Sequence, residues 1–246
     1  MPRRAPIEQS GSGGAPFVVS AGRVTGEVRM RVVVVASGEM AADDVRWLDA
    51  ADLVIAADGG SMALDRLGRR PDRLIGDLDS TDAALVERLA AHGVPVDRHP
   101  ADKEATDLEL ALGAATAAGA SEIVILGGLG GRRFDHELAN LLVLSDPQLD
   151  GMDARIVHGP TTVRVLRPGA RLVLAGTSGD VVSLLPIGGD ASGVTTHGLR
   201  WALTDATLRL GASRGISNEI ISMPASVSVE RGLLVVIETT SEGAHP

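Results

Sequence analysis

Residues 53–80 read LVIAADGGSMALDRLGRRPDRLIGDLDS, and this stretch decides the fold. It contains two short apolar runs, Leu53 to Ala57 and Arg73 to Ile75, separated by a helical pattern over Ser61 to Leu67. A strand, a helix and a second strand joined by short loops form a βαβ unit, whose strands lie parallel in one sheet. Both runs end in acidic loops, Asp58-Gly59-Gly60 and Gly76 to Ser80. The stretch therefore predicts a parallel sheet with carboxylates along one edge.

The same alternation continues over residues 31–159. Further strands are predicted at Val32 to Ala36, Val94 to Arg98, Ile123 to Leu126 and Ala154 to His158. Further helices are predicted at Ala41 to Ala50, Asp82 to Ala91, Asp107 to Ala118 and Asp135 to Leu144. We expect an α/β domain with a Rossmann-like parallel sheet over residues 30–159.

The pattern changes after residue 159. Short apolar runs now alternate with Gly, Asp and Ser, at Thr162 to Leu166, Arg171 to Leu174, Val181 to Pro186, Thr207 to Leu210 and Leu233 to Thr239. Short strands without long helical periods are typical of an antiparallel sandwich or barrel. We expect a smaller all-β sandwich domain over residues 160–246.

Composition excludes several classes of protein. The 246 residues are 44% hydrophobic, so a large core can form and global disorder is excluded. The net charge of −9 argues against broad attraction to nucleic acid or anionic membrane. The lack of cysteine excludes disulfides, thiolate metal sites and thiol nucleophiles. No apolar run is long enough to span a bilayer, and we expect a cytoplasmic protein.

The first 29 residues are rich in Gly, Ser, Pro and Arg, which predicts a disordered N-terminal tail over residues 1–29. Met30 directly precedes the first predicted strand. One hypothesis is that translation starts at this methionine.

Acidic residues recur where the predicted strands lead into helices. Asp58, Asp77, Asp79, Asp107 and Asp135 come from four such connections, which meet at one edge of a parallel sheet. Carboxylates gathered there repel one another unless a cation lies among them, and an oxygen-only set suits Mg²⁺ better than Zn²⁺.

Ordinary structural roles are the alternative for these residues. Asp79 or Ser80 can be the N-cap of the next helix, and Thr106 with Glu109 has the spacing of a capping box. The glycines over residues 127–131 can form a tight turn without any ligand.

The glycine-rich segment and nearby basic residues indicate an anion site. Backbone N–H groups at residues 127–131 and the following helix N-terminus can bind phosphate, beside Lys103, Arg132 and Arg133. Acids for a metal and bases for phosphate predict phosphoryl or pyrophosphoryl transfer. A dinucleotide-binding turn is disfavoured, because Arg133 or Asp135 occupies the place of its third glycine.

Two segments of the second domain are conspicuous, Gly193 to Leu203 and Gly215 to Glu219. On this domain alone, Trp201 is better interpreted as a core residue, and Ser217-Asn218 as a turn. The alternative is that they present a flat ring and hydrogen-bonding groups to a heteroaromatic ligand.

Six motifs, in order over Arg31 to Glu238, resemble those of the thiamine pyrophosphokinases. They are Ala57 to Gly60, Gly76 to Ser80, Lys103 to Asp107, Gly130 to Asn140, Gly198 to Trp201 and Ser217 to Glu219. The resemblance implies an α/β catalytic domain, a thiamine-binding β-sandwich, and a homodimer with the active site at the subunit interface. It also implies pyrophosphoryl transfer from ATP to thiamine with Mg²⁺, giving thiamine diphosphate and AMP. No nucleic-acid or membrane partner is expected.

The resemblance assigns roles residue by residue. It implies that Asp77, Asp79 and Asp107 are catalytic and hold the metal. The implied ATP and phosphate contacts are Asp58, Gly59, Lys103, Thr106, Gly130, Gly131, Arg132, Arg133, Asp135 and His136. Trp201 would stack on thiamine across the dimer interface, with Ser217 and Asn218 lining that pocket. Once the acidic cleft and the motif order are considered, ligand stacking replaces the core interpretation of Trp201.

The chain departs from the family pattern at two places. Glu104 stands where the family has aspartate, and one additional residue occurs in Arg132-Arg133-Phe134-Asp135-His136. Two other functions stay open at this point. One is a pyrophosphokinase for another heteroaromatic alcohol, such as a hydroxymethyl pterin, and the other is a catalytically silent binder of thiamine or its phosphates.

Overall fold

The computed structural model describes residues 18–19, 29–131 and 133–241. Fourteen strands and five α-helices occur in this part of the chain. The strands are β1 Val18–Val19, β2 Arg31–Val35, β3 Leu53–Ala57, β4 Arg73–Gly76, β5 Val96–Arg98, β6 Glu122–Leu126, β7 Asp153–His158, β8 Thr161–Leu166, β9 Arg171–Val173, β10 Val181–His197, β11 Ala206–Leu208, β12 Asn218–Glu219, β13 Ser226–Ser228 and β14 Arg231–Thr239. The helices are α1 Val45–Asp49, α2 Gly60–Arg66, α3 Ala83–Ala91, α4 Asp107–Ala117 and α5 Phe134–Val143.

Six strands form the predicted parallel sheet, in the order β5-β4-β3-β2-β6-β7. The chain moves outward from β2 to β5 and then returns to place β6 on the other side of β2. The connections that leave β2 and β6 therefore run in opposite directions. Such a switch point opens a crevice at the carboxyl ends of the strands, where α/β proteins bind ligands.

Helices cover both faces of the parallel sheet. All four residues of Val32 to Val35 are fully buried, as expected for a central parallel strand. Val32 and Val34 belong to a core that includes α4, whereas Val33 and Val35 belong to a second core that includes α1, α2 and α3. This is the predicted α/β architecture, and the predicted strand positions differ from the observed ones by two residues or fewer.

The sheet continues without interruption into the β domain. β7 and β8 pair antiparallel across the turn at Gly159 and Pro160, and β8 pairs with β14, which pairs with β10. A separate core lies between the antiparallel strands, with Leu172, Val182 and Val227 among its members. The domain boundary near residue 160 therefore stays a prediction, since one hydrogen-bonded sheet runs across this position.

The longest strand is longer than the sequence indicates. We predicted that it would end at Pro186, but β10 runs from Val181 to His197. Its register shifts between Ile187 and Ser192, so the glycines here produce β-bulges and do not end the strand. Because it bends at these bulges, β10 pairs first with β14 and then with β13.

Three short strands escaped prediction, namely β1, β12 and β13. β1 falls in the predicted disordered tail and pairs parallel with β9. The rest of residues 1–28 lies outside the described residues. The predicted helix over Ala41 to Ala50 is in fact a 3₁₀ turn, Ala42–Asp44, followed by α1. None of the described helices has the length and apolar character needed to cross a membrane.

A row of alternating charges crosses the sheet near the amino ends of the parallel strands. It consists of Arg31 on β2, Glu122 on β6, Asp153 and Arg155 on β7, Arg164 on β8 and Glu238 on β14. We call these six residues the charge ladder. Arg155 pairs with Glu122, lies 2.7 Å from Asp153 and places its guanidinium 4.8 Å from the ring centre of Trp47. The ladder balances three positive against three negative side chains and ties the two domains together.

Candidate active site

A cleft of about 530 Å³ lies at the carboxyl ends of the parallel strands. Its lining comes from the segments that follow β2, β3, β4, β5 and β6. This is the edge where the sequence placed its acids and glycines. Four of the five acids predicted to converge, Asp58, Asp77, Asp79 and Asp107, line this one cleft.

Glycine allows the loop after β2 and the loop after β6 to touch at the switch point. The N–H of Gly38 donates to the carbonyl of Gly127 over 2.8 Å. A Cβ at Gly38 would lie 2.4 Å from the Gly127 oxygen, and Gly127 itself has φ +65°. Side chains at these positions would force the loops apart, so glycine here is a requirement of the cleft floor.

Asp58, Asp77 and Asp107 form the acidic part of the cleft, which we call the carboxylate cluster. Each offers an oxygen that lies within 4.8 Å of the others. Gly76 packs beneath them with φ +150°, and a Cβ there would lie 3.0 Å from both Asp107 Oδ1 and Asp58 Cβ. The cluster therefore depends on a residue without a side chain directly before Asp77.

Lys103 neutralises part of the cluster. Its Nζ lies 3.0 Å from Asp77 Oδ2 and 2.8 Å from Asp107 Oδ1. The hydrogen bond from Lys103 lowers the pKa of Asp77. Burial acts to lower the pKa of Lys103, but its hydrogen bonds to the two carboxylates outweigh that effect and raise it. The geometry already places a cation between two carboxylates, and an oxygen-only donor set fits Mg²⁺.

Asp58 is the most buried member of the cluster, at 4% exposure. It has φ +41° directly after β3, and its Oδ1 accepts a hydrogen bond of 3.0 Å from Thr81 Oγ1. Burial raises the pKa of Asp58, and the hydrogen bond from Thr81 partly offsets that rise. The predicted phosphate contact of Asp58 stays a prediction, and in the structure its carboxylate lies beside those of Asp77 and Asp107.

The metal-binding role of Asp79 stays a prediction. Asp79 lines the same cleft, but its carboxylate is outside the carboxylate cluster and accepts a hydrogen bond from Ser80. The structure thus groups Asp58, and not Asp79, with Asp77 and Asp107. The alternative role of Asp79 or Ser80 as a helix cap is wrong, because Asp82 caps α3 through the N–H of Ala84.

Thr106 caps α4 and also lies at the cleft. Its hydroxyl accepts from the N–H of Glu109, and the Glu109 carboxylate accepts from the N–H of Thr106, which confirms the capping box. Thr106 also lines the cleft. Glu104 is exposed and lies outside the lining.

The segment after β6 provides the opposite wall. Gly131, Arg133 and His136 line the cleft together with Asn140, whose side chain donates to the carbonyl of Gly128 over 2.9 Å. The N-cap residue of α5, Arg133, makes no side-chain cap hydrogen bond, and the first turn of the helix lies along this wall. Such an arrangement can bind an anion.

Several predicted phosphate contacts lie outside the cleft lining, namely Gly59, Gly130 and Asp135. Gly59 is the N-cap residue of α2, and Gly130 lines an adjoining pocket. Asp135 is exposed and pairs with Arg133, which lowers the pKa of Asp135 to about 2. Arg132 is outside the described residues, and Arg133 lines the wall.

The adjoining pocket has a volume of about 580 Å³. It shares Ser37, Gly38 and Gly131 with the cleft, and its wall includes the apolar residues Met40 and Leu67. The two cavities therefore meet at the loops of the switch point.

Trp201 lies in the β domain and is 60% exposed, so the core interpretation made from that domain alone is wrong. The buried amide of Asn218 accepts from the Trp201 N–H and donates to its carbonyl, over 3.0 and 2.8 Å. Asn218 therefore holds the Trp201 backbone. Ser217 is an exposed turn residue with φ +59°. These three residues do not line the cleft of the same chain.

Sequence reasoning missed several polar residues of this region. They are Ser37, Glu137 and Asn140 in the lining, and Ser61 and Thr81 behind Asp58. The loop position of Ser37, next to the switch point, was a usable signal. Ser61 and Thr81 resemble any other hydroxyl near a helix start, and only the fold brings them to Asp58.

The fold and the cleft define a class. This is a two-domain α/β protein whose cleft brings a cluster of three carboxylates together with Lys103 and the start of α5, a combination of charges that suits enzymes which handle nucleotide phosphates.

Comparison with known proteins gives the family. The family model "Thiamin pyrophosphokinase, catalytic domain" matches residues 45–156, and "Thiamin pyrophosphokinase, vitamin B1 binding domain" matches residues 171–234. The chain belongs to the thiamine pyrophosphokinase family. The Bacillus subtilis protein named thiamine pyrophosphokinase is 28% identical over 194 residues, covering 79% of this chain and 90% of that protein. Thiamine pyrophosphokinase 1 of Arabidopsis thaliana is 29% identical over 185 residues, covering 71% and 67%.

Solved structures agree with this assignment. The crystal structure of the Bacillus subtilis thiamine pyrophosphokinase superposes with a TM-score of 0.76 at 28% identity, covering 86% of this chain and 99% of that one. The Geobacillus thermodenitrificans structure superposes with a TM-score of 0.74, also at 28% identity, covering 88% and 100%. The predicted family and two-domain fold are confirmed.

Proposed function

We propose that this chain is an ATP-dependent pyrophosphokinase that converts thiamine and ATP to thiamine diphosphate and AMP. The observation that carries the proposal is the carboxylate cluster, which lines the same cleft as Lys103, Arg133 and the first turn of α5. Apart from Ala36, Ser37 and Gly38, the residues that line the cleft lie within residues 45–156, which the catalytic-domain model matches. We place the reaction in the cytoplasm.

The residues fit a bound Mg²⁺. Asp58, Asp77 and Asp107 would hold it, with Asp79 close by in the same cleft. When bound, the ion supplies positive charge that neutralises the phosphate oxygens of ATP. Lys103 supplies part of that charge from the protein itself.

The reaction forms one bond and breaks one bond at the β-phosphorus. The hydroxyl oxygen of thiamine bonds to the β-phosphorus of ATP, while the bond from that phosphorus to the α–β bridging oxygen breaks and AMP leaves. A carboxylate of the cluster accepts the hydroxyl proton. Arg133, His136 and the N–H groups of α5 orient the phosphates, so catalysis is chiefly positioning and charge neutralisation.

The adjoining pocket suits the nucleoside part of ATP. It is contiguous with the phosphate-binding wall at Gly131 and presents apolar side chains, which a base can contact face-on. This placement lets one nucleotide span both cavities.

We propose that two chains form a homodimer and that the partner supplies the thiamine platform. Trp201 is exposed, and it lies outside the cleft lining of its own chain. Phe134, Leu138 and Leu142 recur at helical spacing on α5 and are 76, 47 and 44% exposed. An exposed apolar stripe beside the cleft supports a second copy of the chain as its cover.

Incubation with thiamine and Mg·ATP, followed by detection of AMP and thiamine diphosphate, tests the activity. Asp107→Asn should abolish product formation while circular dichroism shows a folded protein. Thiamine binding without AMP formation would favour a silent binder, and AMP formation only with a hydroxymethyl pterin would favour the other pyrophosphokinase. Comparing Asp58→Asn with Asp79→Asn decides which carboxylate completes the metal site. Sedimentation velocity of wild-type protein and Leu138→Asp tests the dimer.

A further inference from the structure

A hydroxyl lies behind the carboxylate cluster and away from the cleft. Thr81 is 8% exposed, and its Oγ1 lies 3.0 Å from Asp58 Oδ1 and 3.2 Å from Ser61 Oγ. Ser61 is 1% exposed, and its hydroxyl donates to the carbonyl of Asp58 over 2.8 Å. Neither hydroxyl lines the cleft, so neither contacts a ligand that binds there.

Counting hydrogens assigns the donors. The three contacts among these groups share two hydroxyl hydrogens. The Ser61 hydrogen goes to the Asp58 carbonyl in the shortest contact, which leaves the Thr81 hydrogen for the Asp58 carboxylate. Thr81 is thus the donor that fixes one oxygen of a buried carboxylate.

Asp58 needs such a partner more than the other acids do. Lys103 contacts both Asp77 and Asp107, but Asp58 has no basic ion-pair partner among the described residues. Its backbone is already held at φ +41° by its N–H bond to the Ile75 carbonyl and by Ser61. The carboxylate can still rotate about its own side-chain bonds, and of the hydrogen bonds that act on it, from Thr81, Ser80 and the Gly59 N–H, the one from Thr81 to Oδ1 has the largest effect.

We propose that Thr81 is a positioning residue, which orients Asp58 so that the carboxylate cluster binds a divalent cation. The proposal rests on the proposed function for its metal site. Hydrogen-bond partners behind metal ligands commonly change metal affinity by about 10- to 100-fold. Thr81→Val keeps the shape of the side chain and removes the hydroxyl, whereas Thr81→Ser keeps the hydroxyl.

The test is titration of the full chain with Mn²⁺ in the absence of nucleotide, followed by electron paramagnetic resonance. We expect Thr81→Val to weaken Mn²⁺ binding by about tenfold or more, and Thr81→Ser to stay within about threefold of wild type. In the ATP and thiamine assay, Thr81→Val should lower kcat and raise the Mg²⁺ requirement, with the KM for thiamine unchanged.

Thr196 provides a matched control. It is 4% exposed, and its hydroxyl accepts from the N–H of Leu203 in the β domain, away from the cleft. Thr196→Val therefore also removes a buried threonine hydroxyl, but it should leave Mn²⁺ binding unchanged. Thermal unfolding of all variants shows whether a loss of metal binding follows a loss of folded protein.

The proposal is overturned if Thr81→Val binds Mn²⁺ as tightly as the wild-type protein does. It is also overturned if Thr81→Ser and Thr196→Val lose as much Mn²⁺ affinity as Thr81→Val. Absence of Mn²⁺ binding by the wild-type protein would also overturn it. If the wild type binds Mn²⁺ and Thr81→Val does not, but no thiamine diphosphate forms, the positioning role stands and the proposed function fails.

Discussion

Replacement of Trp201 by alanine separates a ligand platform from a structural residue. The ring is 60% exposed, so its removal leaves no cavity, and Asn218 still holds the backbone at this position. Exposed substitutions of this kind change the free energy of unfolding by about 0.5 kcal/mol or less. We expect Trp201→Ala to have a stability close to that of the wild type.

The expected effect on thiamine binding is larger. Thiamine carries a permanently charged ring, and a cation over a tryptophan face gains about 0.5 to 2 kcal/mol. Since about 1.4 kcal/mol corresponds to a factor of ten in affinity, loss of this contact alone should weaken thiamine binding by roughly twofold to thirtyfold.

Trp47, the only other tryptophan in the chain, is the matched control. It is partly buried, with the guanidiniums of Arg155, Arg31 and Arg46 at 4.8, 5.6 and 5.8 Å from its ring centre. Trp47→Ala should lower the free energy of unfolding by about 2 to 4 kcal/mol, because it opens a cavity beside the charge ladder. It should leave the affinity for thiamine unchanged.

Urea unfolding at one protein concentration and calorimetric titration with thiamine measure the two quantities. Because the chain has no tyrosine and two tryptophans, fluorescence of a Trp47→Phe variant reports on Trp201 alone and should be quenched by thiamine. The role of Trp201 as a platform for thiamine is refuted if Trp201→Ala loses as much unfolding free energy as Trp47→Ala while its thiamine affinity stays within twofold of wild type.

Three further predictions concern the charge ladder and the cluster. Arg155→Met, which removes a side chain that is 5% exposed and paired twice, should cost about 3 kcal/mol in urea unfolding, whereas Arg88→Met in an exposed pair should cost less than about 1 kcal/mol. Burial acts to raise the pKa of Asp153, but Arg155 and a second ladder arginine outweigh it and lower the pKa. The ionised Asp153 carboxylate therefore stabilises the folded protein fully above the pKa of the unfolded chain, about 3.9, and this stabilisation is lost as the pH falls through the lower pKa of the folded protein. Asp153→Asn should accordingly reduce the fall in unfolding free energy at acid pH. Gly76→Ala should weaken Mn²⁺ binding more than tenfold with the fold retained by circular dichroism, since its Cβ would press on two clustered carboxylates.

Local sequence determined the α/β domain and the position of its functional edge. Leu53 to Ala57 could be placed as a strand because a buried parallel strand is a continuous apolar run. Asp58, Asp77 and Asp107 could be placed at one edge because all carboxyl ends of parallel strands share it. The capping box at Thr106 could be predicted because it joins two residues only three positions apart.

The tertiary structure decided which of these residues meet. Thr81 donates a hydrogen bond to Asp58, which lies 23 positions earlier in the chain. The position of Asp79 outside the carboxylate cluster depends on the direction of its side chain, which the neighbouring residues in the sequence do not determine. The course of β10 past Pro186 depends on partners that lie far away along the chain. Apolar periodicity and capping chemistry act between neighbours, so the sequence alone determined the elements and the acidic edge. Distances between side chains from different loops are set by strand register and loop conformation, so the cluster, its Thr81 support and the ladder joining the domains required the folded structure.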